Sequence, residues 1–81
     1  MSIKVLFFAT LADITGLRET ELDSEGIPDV GTIFARFSER FPALAAHRRS
    51  LLIAVNSEFA AAEAPVRDGD EVAFFPPVSG G

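Results

Sequence analysis

The chain contains 81 residues, 48% of them hydrophobic, with eight Phe, no Cys and a formal net charge of −5. This length allows a single domain, because two smaller cores would each bury too little surface to offset the entropy of the chain. The absence of Cys excludes disulfides, thiolate metal ligands and a thiol nucleophile. The negative charge argues against nucleic acid as a partner, since phosphate backbones attract basic surfaces.

Hydropathy gives no sign of a membrane segment. No apolar run approaches the roughly 18 to 20 residues that are needed to span a bilayer. The N-terminus also lacks the charged lead and the long apolar stretch of a signal peptide. We therefore expect a cytoplasmic protein without a membrane partner.

The first third of the chain predicts two strands. Ser2 to Ala9 is rich in β-branched and aromatic residues, and Leu17 to Asp23 forms a second, more polar candidate. The segment between them, Thr10 to Gly16, has the composition of a turn. Because the first strand is apolar on both faces, we expect both faces to be covered, either by the domain itself or on one side by a partner.

The middle of the chain predicts one long helix. Asp29 is placed to cap its first turn, and Pro42 to end it near Phe41. Its apolar residues recur at helical spacing and form one stripe: Val30, Ile33, Phe34, Phe37 and Phe41. We expect one or two further helical turns between Ala43 and Arg49.

The second half of the chain predicts three more strands. The third runs from Leu51 to Asn56, and a tight turn at Asn56-Ser57 joins it to a short fourth strand, Glu58 to Ala60. The Asp68-Gly69 pair marks a turn before the last strand, Glu71 to Phe75. The resulting order, β-β-α-β-β-β, predicts an α+β domain in which one helix lies across a small mixed sheet.

The chain offers little material for an ordinary active site. With a single His and no Cys, Tyr or Trp, it is not expected to form a metal cluster or a nucleophile-His pair. It has no glycine-rich phosphate loop. The acidic cluster of Asp68, Asp70 and Glu71 lacks the further ligands of a calcium loop and is interpreted as a solvated turn. We therefore expect this chain to bind no metal and no cofactor.

The C-terminal segment combines three unusual features. No charged side chain follows Glu71, and Pro76-Pro77 cannot continue a sheet ladder. The last four residues, Val78-Ser79-Gly80-Gly81, are therefore expected to project as a flexible tail that ends in two residues without a Cβ. Its working group would be the carboxylate of Gly81, which is ionised at neutral pH and must be activated before acyl transfer. The alternative is a frayed terminus without a role.

Three blocks of sequence resemble a known family. They are Ile3 to Ala9, Ala54-Val55-Asn56, and above all Asp68 to Gly81. These blocks are similar to the small subunit of molybdopterin synthase, within the wider group of ubiquitin-like sulfur carriers. Between about Asp13 and Ser50 the chain agrees with the family in pattern only. The resemblance implies a ubiquitin-like β-grasp domain over residues 1–77, followed by the flexible tail 78–81.

The resemblance also implies a function and a set of partners. An adenylating enzyme similar to the activators of ubiquitin would couple AMP to Gly81 with ATP and magnesium. A sulfurtransferase would act as the sulfur donor, and its sulfur would replace AMP. The resulting thiocarboxylate would enter the active site of the large synthase subunit and give its sulfur to cyclic pyranopterin monophosphate. The chain would then be part of an enzyme, a heterotetramer of small and large subunits, without contributing catalytic side chains.

Alternation along the strands adds a predicted partner interface. If alternate residues of the first and last strands face the helix, their neighbours face outward, and an exposed apolar patch usually marks a binding surface. The inward set is Ile3, Val5, Phe7, Val72 and Phe74. The predicted interface with the large subunit contains Leu6, Phe8, Phe59, Phe75, Pro76 and Pro77. Scattered surface residues or a second small core are the alternatives.

Three other functions are compatible with the same sequence. The chain could serve as a sulfur carrier for thiamine synthesis or tRNA thiolation, through the same tail chemistry. It could also be a ubiquitin-like modifier that attaches through Gly81 to lysines of other proteins. A plain interaction module with an inert tail is the third. The apolar approach Phe74-Phe75-Pro76-Pro77 favours the molybdenum pathway over the other sulfur-carrier functions.

Overall fold

The computed structural model describes residues 1–77, and the predicted tail, residues 78–81, lies outside this part of the chain. In chain order the elements are β1 (Ser2–Phe7), α1 (Thr10–Thr15), β2 (Glu19–Asp23), α2 (Val30–Arg40), a 3-10 helix (Pro42–His47), β3 (Leu52–Val55), β4 (Glu58–Ala60) and β5 (Glu71–Phe75). None of the helices in the described part is long and apolar enough to cross a membrane.

The five strands form one mixed sheet in the order β2-β1-β5-β3-β4. β1 and β5 pair in parallel at its centre, whereas the other three pairings are antiparallel. The last strand therefore inserts between the two halves of the domain, and its end is held on both sides. This is the topology of a β-grasp domain, so the predicted α+β fold is confirmed.

The main helix, α2, begins and ends as the sequence predicts. The Asp29 carboxylate accepts hydrogen bonds from the Thr32 amide at 2.9 Å and from the Thr32 hydroxyl at 2.7 Å, and so satisfies a free N–H group of the first turn. Pro42 follows the C-cap Phe41 and starts the 3-10 helix. The apolar stripe faces the core: Val30, Ile33, Phe34 and Phe37 are buried, and Phe41 is partly buried.

Aromatic rings fill the space between α2 and the centre of the sheet. The ring of Phe7 in β1 meets the ring of Phe37 edge-on, with centroids 5.1 Å apart. The rings of Phe34 and Phe74 lie 5.5 Å apart, and those of Phe7 and Phe74 lie 5.7 Å apart. These contacts hold α2 over the β1–β5 pair on one side only.

One prediction is wrong in detail, because the segment from Thr10 to Gly16 contains the helix α1 and is not a simple turn. Leu11 is fully buried and attaches this helix to the core. Gly16 ends it with a left-handed backbone, φ 72°, and its N–H donates to the carbonyl of Ala12 at 2.7 Å. A helix of six residues is too short to show a helical period, so the composition favours a turn.

Other boundaries differ from the predictions by one or two residues. β2 begins at Glu19 and not at Leu17, because the chain needs two residues to leave Gly16 and enter the sheet. β3 covers Leu52–Val55, one residue shorter at each end than expected. The tight turn after it is confirmed, since Asn56 and Ser57 both have positive φ, 50° and 72°, as in a two-residue type I′ hairpin.

Candidate functional site

The outward side of the central strand pair carries the predicted interface residues. In β1, Ile3, Val5 and Phe7 are buried on the side of α2, while Leu6 is half-buried and Phe8, just after the strand, is 42% exposed. The alternation that the sequence predicts for this strand is therefore confirmed.

The last strand follows the same alternation. Val72 and Phe74 are fully buried against the helix, and Phe75 is half-buried on the other side. Phe59 in the short strand β4 is 81% exposed. A ring this exposed in so small a domain gains little within the chain, which favours a role in contact with another protein.

Strand register gathers the outward apolar side chains into two rows. In the first, Leu52 lies opposite Phe75, and the rings of Phe8 and Phe75 stack with centroids 4.6 Å apart and planes 12° from parallel. In the second row the order across the sheet is Leu6, Ala73, Ala54 and Phe59. We call this surface the docking face, and it consists of Leu6, Phe8, Leu52, Ala54, Phe59, Ala73 and Phe75.

Leu52 belongs to this face although the sequence analysis does not name it. Its side chain is 38% exposed and lies opposite Phe75. The signal that identifies it is the same alternation: Ile53 belongs to the core cluster, so Leu52 and Ala54 point to the other side of the sheet, although the small side chain of Ala54 is itself buried. The docking face thus contains three residues that the predicted interface lacks, Leu52, Ala54 and Ala73.

The arm that would carry the tail starts at the edge of the docking face. Pro76, half-buried, and Pro77, exposed, follow Phe75 directly. Proline has no N–H to donate to a ladder, so pairing ends at Phe75. The remaining predicted site residues, Val78, Ser79, Gly80 and Gly81, lie outside the described residues, and their part in the site stays a prediction.

One border of the open face is acidic. Glu19, Glu21 and Asp23 alternate outward along β2 and are exposed. The register places Glu21 opposite Lys4, and Glu19 opposite Leu6 of the docking face. A partner with an apolar centre and basic residues at this border would match the face in charge as well as in polarity.

A hydrogen-bonded bracket holds the start of β5 in place. The Asp70 carboxylate accepts hydrogen bonds from the side-chain amide of Asn56 at 3.1 Å and from the Arg67 amide at 2.9 Å. The Asn56 side-chain carbonyl in turn accepts from the Glu71 amide at 3.0 Å. The hydrogen bond from Asn56, followed by that from Arg67, lowers the pKa of the Asp70 carboxyl below its ordinary value. The bracket fixes the register of β5, and thereby the point at which the arm leaves the sheet.

We expect Asp70→Asn to lower the free energy of unfolding at pH 7 by roughly 0.5 to 1 kcal/mol, since these hydrogen bonds are exposed to solvent. Because folding lowers the pKa of Asp70 from 3.8, its ionised form stabilises the fold above that pH. This contribution is lost as the pH falls through the folded-state pKa. The difference in free energy of unfolding between Asp70→Asn and the original chain should therefore shrink below pH 3.8. Urea denaturation at several pH values measures it, with Asp68→Asn as the control. A difference that is constant with pH would contradict the assignment.

Residues 1–77 hold no group of three or more His, Cys, Asp or Glu side chains that could bind a metal ion. In the acidic cluster, the Asp70 carboxylate is engaged in the bracket described above, and the Asp68 carboxylate accepts from the Ser24 hydroxyl at 3.2 Å. In residues 1–77, the docking face offers a surface for another protein, and the bracket sets the point from which the residues after Pro77 start.

The fold and the face together define a small ubiquitin-like β-grasp domain with an apolar docking face beside the end of its last strand. The chain belongs to the ThiS family, whose model matches residues 5–81. The resemblance drawn from the sequence is thereby confirmed.

Relatives match the chain along nearly its whole length. It is similar to a protein named molybdopterin synthase sulfur carrier subunit from Escherichia coli (strain K12), with 45% identity over 82 residues, 98% of this chain and 99% of that protein. A protein of the same name from Haemophilus influenzae is 36% identical and covers 98% of this chain and 99% of its own. Among solved structures, the small archaeal modifier protein 1 of H. volcanii superposes with a TM-score of 0.82 at 29% identity, covering 95% of this chain and 98% of that one.

Proposed function

We propose that this chain is the sulfur carrier of molybdopterin synthesis and that its working group is the carboxylate of Gly81. The observation that carries the proposal is the similarity over nearly the full length to proteins named molybdopterin synthase sulfur carrier subunit. The geometry supports it, because an apolar protein-binding face lies directly beside the residues from which the tail starts.

The proposed chemistry begins with activation. The ionised carboxylate of Gly81 is a poor acyl donor, and an adenylating enzyme would overcome this by joining it to AMP from ATP and releasing pyrophosphate, with magnesium balancing the phosphate charge. The outer sulfur of a sulfurtransferase persulfide then attacks the acyl carbon, and AMP leaves. A second thiol cleaves the resulting acyl disulfide and forms a disulfide with the donor cysteine. The product is a thiocarboxylate on Gly81.

Transfer follows in a second complex. The docking face binds the large synthase subunit, and four residues at full extension span at most about 13 to 14 Å, which is enough for the segment after Pro77 to enter an active site. There the sulfur passes to cyclic pyranopterin monophosphate, and water supplies the oxygen that restores the carboxylate of Gly81. A second loaded carrier supplies the second sulfur, since the dithiolene contains two and each carrier brings one. The small subunit thus contributes the sulfur and the large subunit the catalytic side chains.

The test is a reconstituted transfer reaction. The chain is prepared with a thiocarboxylate at Gly81 and mixed with the large subunit and cyclic pyranopterin monophosphate. We expect the dithiolene pterin to form in proportion to the carrier, and no product from the unmodified carboxylate form. A thiocarboxylate form that binds the large subunit but yields no pterin product would contradict the proposal and would favour a carrier for thiamine synthesis or tRNA thiolation.

A second candidate function has a specific observation behind it. The structural relative named small archaeal modifier protein 1 shares the fold over nearly the whole chain. A modifier would use the same Gly81 adenylate, but a lysine amine would displace AMP and leave an isopeptide bond. Isopeptide-linked ladders on cellular proteins, absent when Gly81 is deleted, would support this second function.

The subunit assembly and the cellular location are two further parts of the proposal. We propose a heterotetramer of two small and two large subunits in the cytoplasm, where ATP is available to the adenylating enzyme. The stoichiometry is measured by light scattering on the purified complex.

A further inference from the structure

Ala9 adopts an unusual backbone conformation next to the docking face. Its φ is 52° and its ψ is −127°. The Leu11 amide donates to the Phe8 carbonyl at 3.1 Å and closes a turn in which Ala9 is the second residue. These angles at that position are those of a type II′ turn, where glycine is strongly preferred because a Cβ is strained there.

The hydrogen bonds that hold the Ala9 backbone do not need its methyl group, since the Ala9 carbonyl accepts from the amides of Ala12 at 3.0 Å and Asp13 at 3.2 Å. Ala9 is exposed, so its methyl group adds nothing to the core. At three other positive-φ positions within residues 1–77 the chain uses glycine, Gly16, Gly26 and Gly69, and only the type I′ hairpin turn places Asn56 and Ser57 there. Where it uses Asn56, the side chain is hydrogen-bonded to Asp70. A glycine at position 9 would relieve the strain, which makes the alanine methyl group a candidate for a contact with another protein.

The surroundings of the methyl group indicate which protein it would contact. Ala9 lines an open groove that continues from the docking face toward α1, with the apolar residues Leu6, Phe8 and Ala12 beside it and the charged residues Asp13, Arg18 and Glu19 in the remaining wall. Phe8, the neighbour of Ala9, is tied to β5 by a hydrogen bond from its amide to the Phe74 carbonyl at 3.1 Å. The methyl group thus stands at the rim of the surface that the proposed function assigns to the large subunit.

We propose that Ala9 is a specificity-determining contact of the docking face, whose L-methyl group packs against an apolar side chain of the large subunit in the groove between Phe8 and α1. This inference rests on the proposed function, which supplies the partner. It predicts that affinity and stability respond to substitution in opposite directions, because the methyl group strains the free domain and stabilises the complex.

Two variants separate the methyl group from the backbone strain. Ala9→Gly removes both. The second variant carries D-alanine in place of L-alanine at position 9, which removes the strain, since φ 52° and ψ −127° mirror an allowed L conformation, but moves the methyl group to the opposite side of the Cα atom. Ala46→Gly, an exposed alanine in the 3-10 helix, is the matched control.

Melting temperature and affinity for the large subunit are measured for each chain. We expect Ala9→Gly to melt no lower than the original chain, and the D-alanine variant to melt about 4 to 8 °C higher. Both should bind the large subunit about fourfold or more weakly, the effect of withdrawing one buried methyl group, and Ala46→Gly should bind normally.

Unchanged affinity in either Ala9 variant would overturn the inference and leave the proposed function intact. A melting temperature of Ala9→Gly below that of the original chain would also overturn it, because the methyl group would then stabilise the free domain. Failure of the original chain to bind the large subunit would overturn the proposed function together with this inference.

Discussion

Deletion of Gly81 is expected to abolish sulfur transfer to the pterin while leaving the domain folded. The shortened chain still ends in a carboxylate, on Gly80, but this group falls short of its former position by roughly 3.3 to 3.6 Å. A displacement of about 1 Å at a reacting centre can cost 100-fold in rate, so we expect a loss of at least about 100-fold. The rate of pterin product formation in the reconstituted reaction measures it.

The matched control lengthens the tail by one glycine after Gly81. It keeps every residue of the chain and a terminal carboxylate, but moves that carboxylate too far by the same distance, so an equal loss is expected. Both variants should melt at the temperature of the original chain, because the core formed by residues 1–77 is unchanged. Full transfer activity without Gly81 would show that the position of the terminal carboxylate does not matter.

Phe75→Ala and Phe8→Ala are expected to weaken binding to the large subunit by about 30-fold or more each. The two rings stack at 4.6 Å and lie where the arm leaves the sheet, and central aromatic side chains typically contribute about 2 kcal/mol or more to an interface. Since the rings touch, the double variant should lose less than the sum of the two single losses. Isothermal titration of the large subunit measures all three.

Phe41→Ala is the control for this pair. It makes the same chemical change at a half-buried ring that follows α2 and lies against Arg40, away from the open face of the sheet. We expect it to lower stability and to leave affinity unchanged. If Phe8→Ala and Phe75→Ala both bind as tightly as the original chain, the docking face has no role in this contact.

The sequence predicts the part of the site that depends on strand alternation. Two-residue periodicity places Leu6 and Phe75 outward as soon as Phe7 and Phe74 are assigned to the core, and the structure agrees. The same rule would have included Leu52. To apply the rule, one must know that β3 begins at Leu52 and that Ile53 faces the core. A strand of four residues is too short for its pattern to show this.

Other features depend on tertiary context and leave little trace in the sequence. α1 is a helix because Leu11 is buried in the core and Gly16 closes it, and neither contact is visible in six residues of mixed composition. The strain at Ala9 is a property of the backbone that the surrounding hydrogen bonds impose, and an alanine by itself indicates nothing of the kind. The tail is identified from its residues alone.

The most direct test of the account is the intact mass of the chain after incubation with ATP, magnesium, an adenylating enzyme and a sulfur donor, followed by fragmentation of the C-terminal peptide. The carrier subunit of Escherichia coli serves as the positive control for the enzymes. The account predicts a mass gain equal to the exchange of one oxygen for one sulfur, located on the carboxyl group of Gly81. No gain while the control is converted, or a gain located on any other residue, would contradict it.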